Sequence, residues 1–357
     1  MTTEVTNLLA KLITFETTSD RHDESIKCFN FIETKLSNLP FQLEKYSING
    51  KESRLWRSPA SSKKLLLNAH IDVVPAPKTL FTMTTAGDKL IGRGVADMKF
   101  AIASFITVVQ KMYAEKKELP PVDILLTSDE EIGGMDGVGH FVKHDSTEYA
   151  AVIIPDGGDD WHIVEEAKGV LQIKISASGK SAHASRPWEG HSAADRLLES
   201  LQAIRLKFPE STQPEWKTTL NIGQIHVGTQ TNQVSDFGTA LLDIRYIPLD
   251  DPAEIIDSIR KATSNCEVEL LLSAQPFTVD STNPYVQSWA KLIKNNAKEV
   301  FIKETGASDG RYFSALGIPV ILSKPRNGDI HSDNEWLDAP SFFHFNDILE
   351  KFILRHS

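Results

Sequence analysis

Cysteine is nearly missing from this 357-residue chain: Cys28 and Cys266 are the only two, far apart and outside any CxxC pattern. That excludes a disulfide framework and a thiolate-held zinc, so any metal must be held by histidine and carboxylates. A surplus of basic charge is missing too, because 38 Lys and Arg stand against 48 Asp and Glu, a net charge of −10. Binders of nucleic acid or of anionic membranes need a basic footprint, and neither partner is expected. The longest apolar run, 101-AIASFITVV-109, is broken by Ser104 and Thr107. It falls far short of the ~18 residues a membrane span requires and reads as a buried helix. The opening MTTEVTNLLAKLITFE has no basic n-region, and Lys11 and Glu16 interrupt its apolar residues. A signal peptide is therefore not expected, and a cytoplasmic location is. Internal repeats and low-complexity tracts are also lacking.

What is present is an ordinary globular composition, 41% hydrophobic and 24% charged, in a chain longer than one core usually grows. Two domains are expected. Leu8, Leu9, Leu12 and Ile13, then Ile26, Phe29, Ile32 and Leu36, recur at helical spacing. The segment 41–48 alternates like a strand. Three apolar runs end in polar chemistry: 64-KLLLNAHID-72, 122-VDILLTSDEE-131 and 150-AAVIIPDGG-158. With a 3.6-residue period from Met98 to Met112 between the first two, they form an α/β pattern, in which ligands gather beyond the carboxyl ends of the strands. From 168 the pattern changes to strand, helix, two strands, helix, strand, a small α+β sandwich. Helical periodicity returns after Pro276. The expected architecture is a discontinuous catalytic domain, 1–166 and 276–357, with an inserted domain at 167–275.

Four clusters carry side chains suited to metal chemistry: His70-Ile71-Asp72, Asp97, Glu130-Glu131 and His331. His70 taken alone reads first as a core histidine, but a carboxylate two residues on, Asp72, can accept the second ring N–H and fix the tautomer. Asp97 opens a helical period and, taken alone, reads first as an N-cap. Adjacent Glu130 and Glu131 at a strand end should repel one another, unless a metal neutralises one and leaves the other free for proton transfer.

In order, 70-HIDVVP-75, 92-GRGVADMK-99, 128-SDEEIGG-134, 180-KSAHASRPWEG-190 and 331-HSDNEW-336 resemble the signature of the dinuclear zinc deacylase and peptidase family. That family includes acetylornithine deacetylase, succinyl-diaminopimelate desuccinylase, aminoacylase and carboxypeptidase G. The resemblance runs from about Leu8 to the C-terminus. It implies two Zn²⁺ per subunit, with Co²⁺ as a substitute: His70 and one acidic residue on the first, Glu131 and His331 on the second, and Asp97 bridging. Asp156 is the natural choice for the acidic ligand where many relatives carry Glu-Pro, with Asp159 and Asp160 as competitors.

The resemblance also implies that Glu130 is the general base, that Asp72 supports His70, and that His183 acts at the partner subunit's site of a homodimer whose inserted domain serves dimerisation. Asn232 and Arg245 match positions that hold a substrate carboxylate or complete the site, although a strand arginine is often only a surface ion-pairing residue. Gly306, Ser308 and Asp309 resemble a glycine-rich substrate loop. The implied activity is amide cleavage of a small N-acyl amino acid. A dipeptidase or carboxypeptidase on the same scaffold, or a catalytically silent relative, are the alternatives.

Overall fold

The computed structural model describes the chain except residues 1, 61–62, 210–212, 214, 264 and 295–299. It divides into two compact units, one of residues 1–165, 279–302 and 308–357, the other of 166–278 and 303–307.

In the larger unit six strands form one sheet in the spatial order Gln42–Ile48, Lys51–Arg57, Val122–Thr127, Leu65–His70, Ala151–Ile154, Val320–Leu322. The last four run parallel, with His70 in register with Thr127. Leu65–His70 and Val122–Thr127 are buried along their whole length, as expected of parallel strands covered on both faces. The helix Lys99–Lys116 is buried nearly all round and packs between Thr2–Ile13 and Ala339–His356. Edge-to-face contacts of Phe100 with Phe342 and Phe345 join it to the latter. Because the parallel strands share a direction, His70, the turn at Glu130 and Asp156 all lie at their carboxyl ends.

A second, smaller sheet in this unit pairs Asn327–Gly328, Trp336–Asp338, Lys89–Ile91 and Thr84–Ala86, antiparallel throughout. It joins the segment after His331 to the segment before Asp97.

The other unit is an antiparallel sheet in the order Thr219–Val227, Phe237–Tyr246, Gly169–Ser178, Cys266–Ala274. Leu171, Ile173, Ile175, Ala240, Leu242 and Ile244 point to one face, where they form a core with Leu197, Leu201 and Ile259 of the helices Ala193–Arg205 and Pro252–Ala262. Both helices start on side-chain caps: Ser192 accepts from the Asp195 N–H and Asp251 from the Ala253 N–H.

No helix among the described residues is long and apolar enough to cross a membrane.

Candidate metal centre

Two triads of ligand-type atoms form at the strand ends of the larger unit: His70, Asp97 and Asp156, and Asp97, Glu131 and His331, the atoms of each within 4.8 Å of one another. Asp97 belongs to both. Its Oδ1 lies 3.2 Å from His70 Nε2 and its Oδ2 lies 2.8 Å from His331 Nε2. Glu131 reaches His331 Nε2 at 3.3 Å. Asp159 and Asp160 turn elsewhere, to Lys324 and Asn327 and to Arg326 respectively. The turn that presents Asp156 is tight, with its N–H on Ile154 O at 2.8 Å. At Gly158 (φ 70°) a Cβ would stand 2.1 Å from His162 O, so only glycine fits.

Each side chain is positioned by its local backbone. Asp97 is not a helix N-cap; that position belongs to Met98, without a side-chain cap. His331 adopts a left-handed backbone (φ 62°), uncommon for a residue other than glycine and frequent at functional sites. The second ring nitrogen of His70 differs from expectation: Nδ1 hydrogen-bonds the main-chain carbonyl of Asp72 at 2.9 Å, while the Asp72 carboxylate stands 3.5 Å away. A two-residue spacing at a strand end brings the carbonyl closer than the side chain. The Asp72 carboxylate instead accepts the Glu131 N–H at 3.0 Å, tying the His70 and Glu131 segments together.

His70 Nε2, Asp97 Oδ1, Asp72 Oδ1 and Glu131 Oε1 are buried and make no hydrogen bond among the described residues. A buried donor or acceptor left unpaired costs about 1–3 kcal/mol, more when charged. A concentration of negative charge here therefore demands a positive counterpart, and a divalent cation held by histidine nitrogen and carboxylate oxygen fits this donor set.

The protonation equilibria respond to the same charge. Burial drives His70 down, but the Asp72 and Asp97 carboxylates outweigh it and hold the imidazole well above its ordinary range. Hydrogen bonds to Asp97 and Glu131 raise His331 to about 10. Burial, reinforced by Asp97, raises Asp156 to about 6. Glu130 is also pushed well up, first by burial and then by Asp156. It stands outside both triads, and its carboxylate makes no hydrogen bond among the described residues.

Beneath the Glu130–Glu131 turn, Arg311 Nη2 and Tyr312 Oη both donate to Gly133 O, at 2.7 and 2.6 Å. Arg311 Nη1 donates to the main-chain carbonyl of Ser308 at 3.0 Å. Sequence reasoning passed over Arg311, Tyr312 and also Glu335, whose buried carboxylate receives the Asp97 loop. Glu335 stood inside the His331 motif without a signal of its role.

In the smaller unit His183 and Asn232 lie on neighbouring segments: His183 bridges to Gln233, and Ala184 N–H donates to Asn232 O at 3.0 Å. His183 Nδ1 faces Ser185, 2.8 Å from its hydroxyl and 3.2 Å from its main-chain N–H. Arg245 lies on the sheet face away from the core, paired with Asp243 through Nε at 2.7 Å and Nη2 at 3.3 Å. Gly306 is exposed and belongs to this unit, whereas Ser308 is buried and belongs to the larger one.

Residues 66–355 match the sequence profile of Peptidase family M20/M25/M40. The succinyl-diaminopimelate desuccinylase of Buchnera aphidicola subsp. Acyrthosiphon pisum is 25% identical over 361 aligned positions, covering 94% of each chain. A probable carboxypeptidase of Paracoccidioides lutzii is 28% identical over 230, covering 59% of this chain and 51% of that one. The crystal structure of the aminopeptidase PepT of Bacillus cereus superposes with a TM-score of 0.82 at 18% identity, over 99% and 98% of the two chains.

Proposed function

The chain belongs to Peptidase family M20/M25/M40, and from that membership and the site we propose a two-zinc amidohydrolase that deacylates a small N-acyl amino acid. The observation that carries it is the pair of triads sharing Asp97, with the uncommitted Glu130 beside them. His70 and Asp156 would hold one ion and Glu131 and His331 the other, with Asp97 offering an oxygen to each. Histidine with carboxylate suits Zn²⁺, and Co²⁺ accepts the same donors.

Two such ions, when bound, polarise the amide carbonyl and lower the pKa of the attacking water. The chain's own residues do the rest. Glu130 takes the water's proton and returns it to the departing amine nitrogen; burial and Asp156 raise its pKa, which makes it a stronger base than a free carboxylate. Asp72 holds the Glu131 main chain and its carbonyl fixes the His70 ring, so both ligand segments keep one geometry. Asn232, Arg245 and the segment of Gly306 and Ser308 are assigned to substrate binding. Arg245 would have to exchange Asp243 for a substrate carboxylate, which its planar fork suits. Two unpaired cysteines favour the cytoplasm.

The N-acyl substrate is preferred over a peptide because the relative aligned over 94% of the chain is a desuccinylase, while the carboxypeptidase covers 59%. Zinc-loaded protein assayed against N-acetyl amino acids, N-succinyl amino acids and dipeptides should give its highest kcat/KM with an N-acyl amino acid. Faster dipeptide cleavage would reassign it as a peptidase, and no turnover of any class would make it a silent relative.

His183 is assigned to the oxyanion of the partner subunit's site, where a ring N–H would serve as the donor; its Nδ1 is engaged by Ser185, which leaves Nε2 to face outward. A homodimer follows from that assignment. Mixing inactive Glu130→Gln and His183→Ala proteins under conditions of proven subunit exchange should recover part of the activity, since one hybrid site has both groups intact. Exchange without recovery would confine His183 to its own subunit.

A further inference from the structure

We propose that Glu335 is a positioning residue that fastens the Asp97 loop to the His331 segment, so that the two triads form as one object. The inference rests on the metal-centre function proposed above.

Glu335 is fully buried. Its Oε1 accepts the main-chain N–H of Gly94 at 3.0 Å, Ala96 at 2.9 Å and Asp97 at 3.2 Å; its Oε2 accepts Arg93 Nη1 at 2.6 Å and the Gly94 N–H at 3.1 Å. A structural ion pair with Arg93 would need only the last side of this arrangement. The other contacts hold three main-chain N–H groups of the loop, those of Gly94, Ala96 and Asp97, the last belonging to the shared ligand itself. The loop runs directly into the buried start of the helix Lys99–Lys116, where Lys99 Nζ donates to Leu12 O and Phe15 O at 3.2 and 2.7 Å. Its far end is therefore fixed independently, and Glu335 fixes the near end.

The carboxylate reaches this place through the small sheet. Trp336 pairs with Ile91 and Leu337 with Leu90, so Glu335 falls opposite Gly92, whose N–H it accepts through its main-chain carbonyl at 3.3 Å. Four residues upstream is His331, whose Nε2 meets Asp97 Oδ2 at 2.8 Å. Asp97 and His331 thus meet twice, once through their own side chains and once through Glu335. Asp97 can present one oxygen to each histidine only while its main chain holds this position. Outer partners of metal ligands typically carry 10–100-fold in metal affinity, and here one side chain orients a ligand common to both triads.

Zn²⁺ affinity is measured by competition with a chromophoric chelator on wild type, Glu335→Gln and Phe352→Ala. Glutamine can keep one oxygen toward the loop but turns an NH₂ toward Arg93 and one face of Gly94, donor against donor. Phe352→Ala removes a core ring packed on Trp289 and serves as the control for lost stability. The expected result is a 10–100-fold weaker affinity for both ions in Glu335→Gln, with Phe352→Ala unchanged. Affinity within twofold of wild type in folded Glu335→Gln overturns the inference, as does an equal loss in Phe352→Ala. Wild type that binds no ion overturns the metal-centre function instead, and this inference with it.

Because an uncompensated buried Arg93 could prevent folding, Arg93→Gln/Glu335→Gln, which removes both charges, is assayed in parallel. Hydrogen exchange of the metal-loaded wild type needs no variant: the amides of Gly94, Ala96 and Asp97 should be strongly protected and lose protection when the metal is removed. Exchange at the rate of exposed loop amides overturns the proposal.

Discussion

Glu130→Gln is expected to keep its metal and lose roughly 10²–10⁴-fold in turnover, the usual contribution of a general base. Glutamine matches glutamate in size and leaves both triads intact, since Glu130 belongs to neither. It cannot accept a proton. The carboxylate is suited to that task because burial and the neighbouring Asp156 raise its pKa well above the ordinary range, bringing it nearer the pH at which proton transfer is most effective. Metal content by elemental analysis and kcat on the same preparation decide the matter. Near-normal turnover would move the proton to another group, and loss of an ion would place Glu130 among the ligands.

The division of labour proposed for the two adjacent glutamates stood as an alternative in the sequence, because like charges side by side need either solvent or a metal. The buried parallel strands were legible for a similar reason: Leu65–His70 and Val122–Thr127 are short apolar runs with polar ends. Lys51–Arg57, KESRLWR, was not. Three of its seven residues are basic and one is acidic, so it carries no strand periodicity, yet it lies beside Val122–Thr127. Arg54 is buried there by ion pairs with Glu33 and Glu52 at 2.9 and 2.8 Å, contacts that depend on the tertiary fold. Burial of this kind comes from partners and leaves no trace in hydropathy.

The same holds around Asp97. A helical period beginning at Met98 makes an N-cap of Asp97 on local grounds, and what overrides that reading is a carboxylate more than 200 positions away, Glu335. The small sheet that delivers it is built from strands of two and three residues, too short for any period to register. Asp72 is the converse case. Its spacing from His70 suggests a carboxylate on the ring, but a spacing does not say whether side chain or main chain makes the contact, and here the main-chain carbonyl does.

Stripping the metal is expected to abolish turnover, restored by Zn²⁺ or Co²⁺, and to leave a fold that weakens as pH rises. The sign follows from four groups. Burial, with Asp97, lifts Asp156 from 3.8 to about 6; burial, with Asp129 adding against the relief from Arg311, lifts Asp309 from 3.8 to about 7. Glu130 is raised from 4.5 by burial and Asp156, and His331 from 6.5 to about 10 by its bonds to Asp97 and Glu131. In each case the folded state holds its proton more tightly than the unfolded chain, so the slope of stability with pH is negative. The contribution is complete below about pH 4 for the carboxyls and about 6.5 for the histidine, and is lost as pH climbs through 6, 7 and 10. Asp97 is depressed by His331 and His70 despite its burial, which has the opposite sign but acts only in acid.

A bound divalent ion supplies the positive charge that these protons supply in its absence, and deprotonation of the ligand histidines strengthens its hold as pH rises. The melting temperature of chelator-treated protein should therefore fall between pH 5 and about 9, while that of the metal-loaded protein stays level or rises. At an ion concentration 100-fold above Kd the difference contributes about 3 kcal/mol, several degrees for a chain of this size. A stripped protein whose melting temperature is flat or rises over that range would mean that the carboxylates are not confined together as the triads place them.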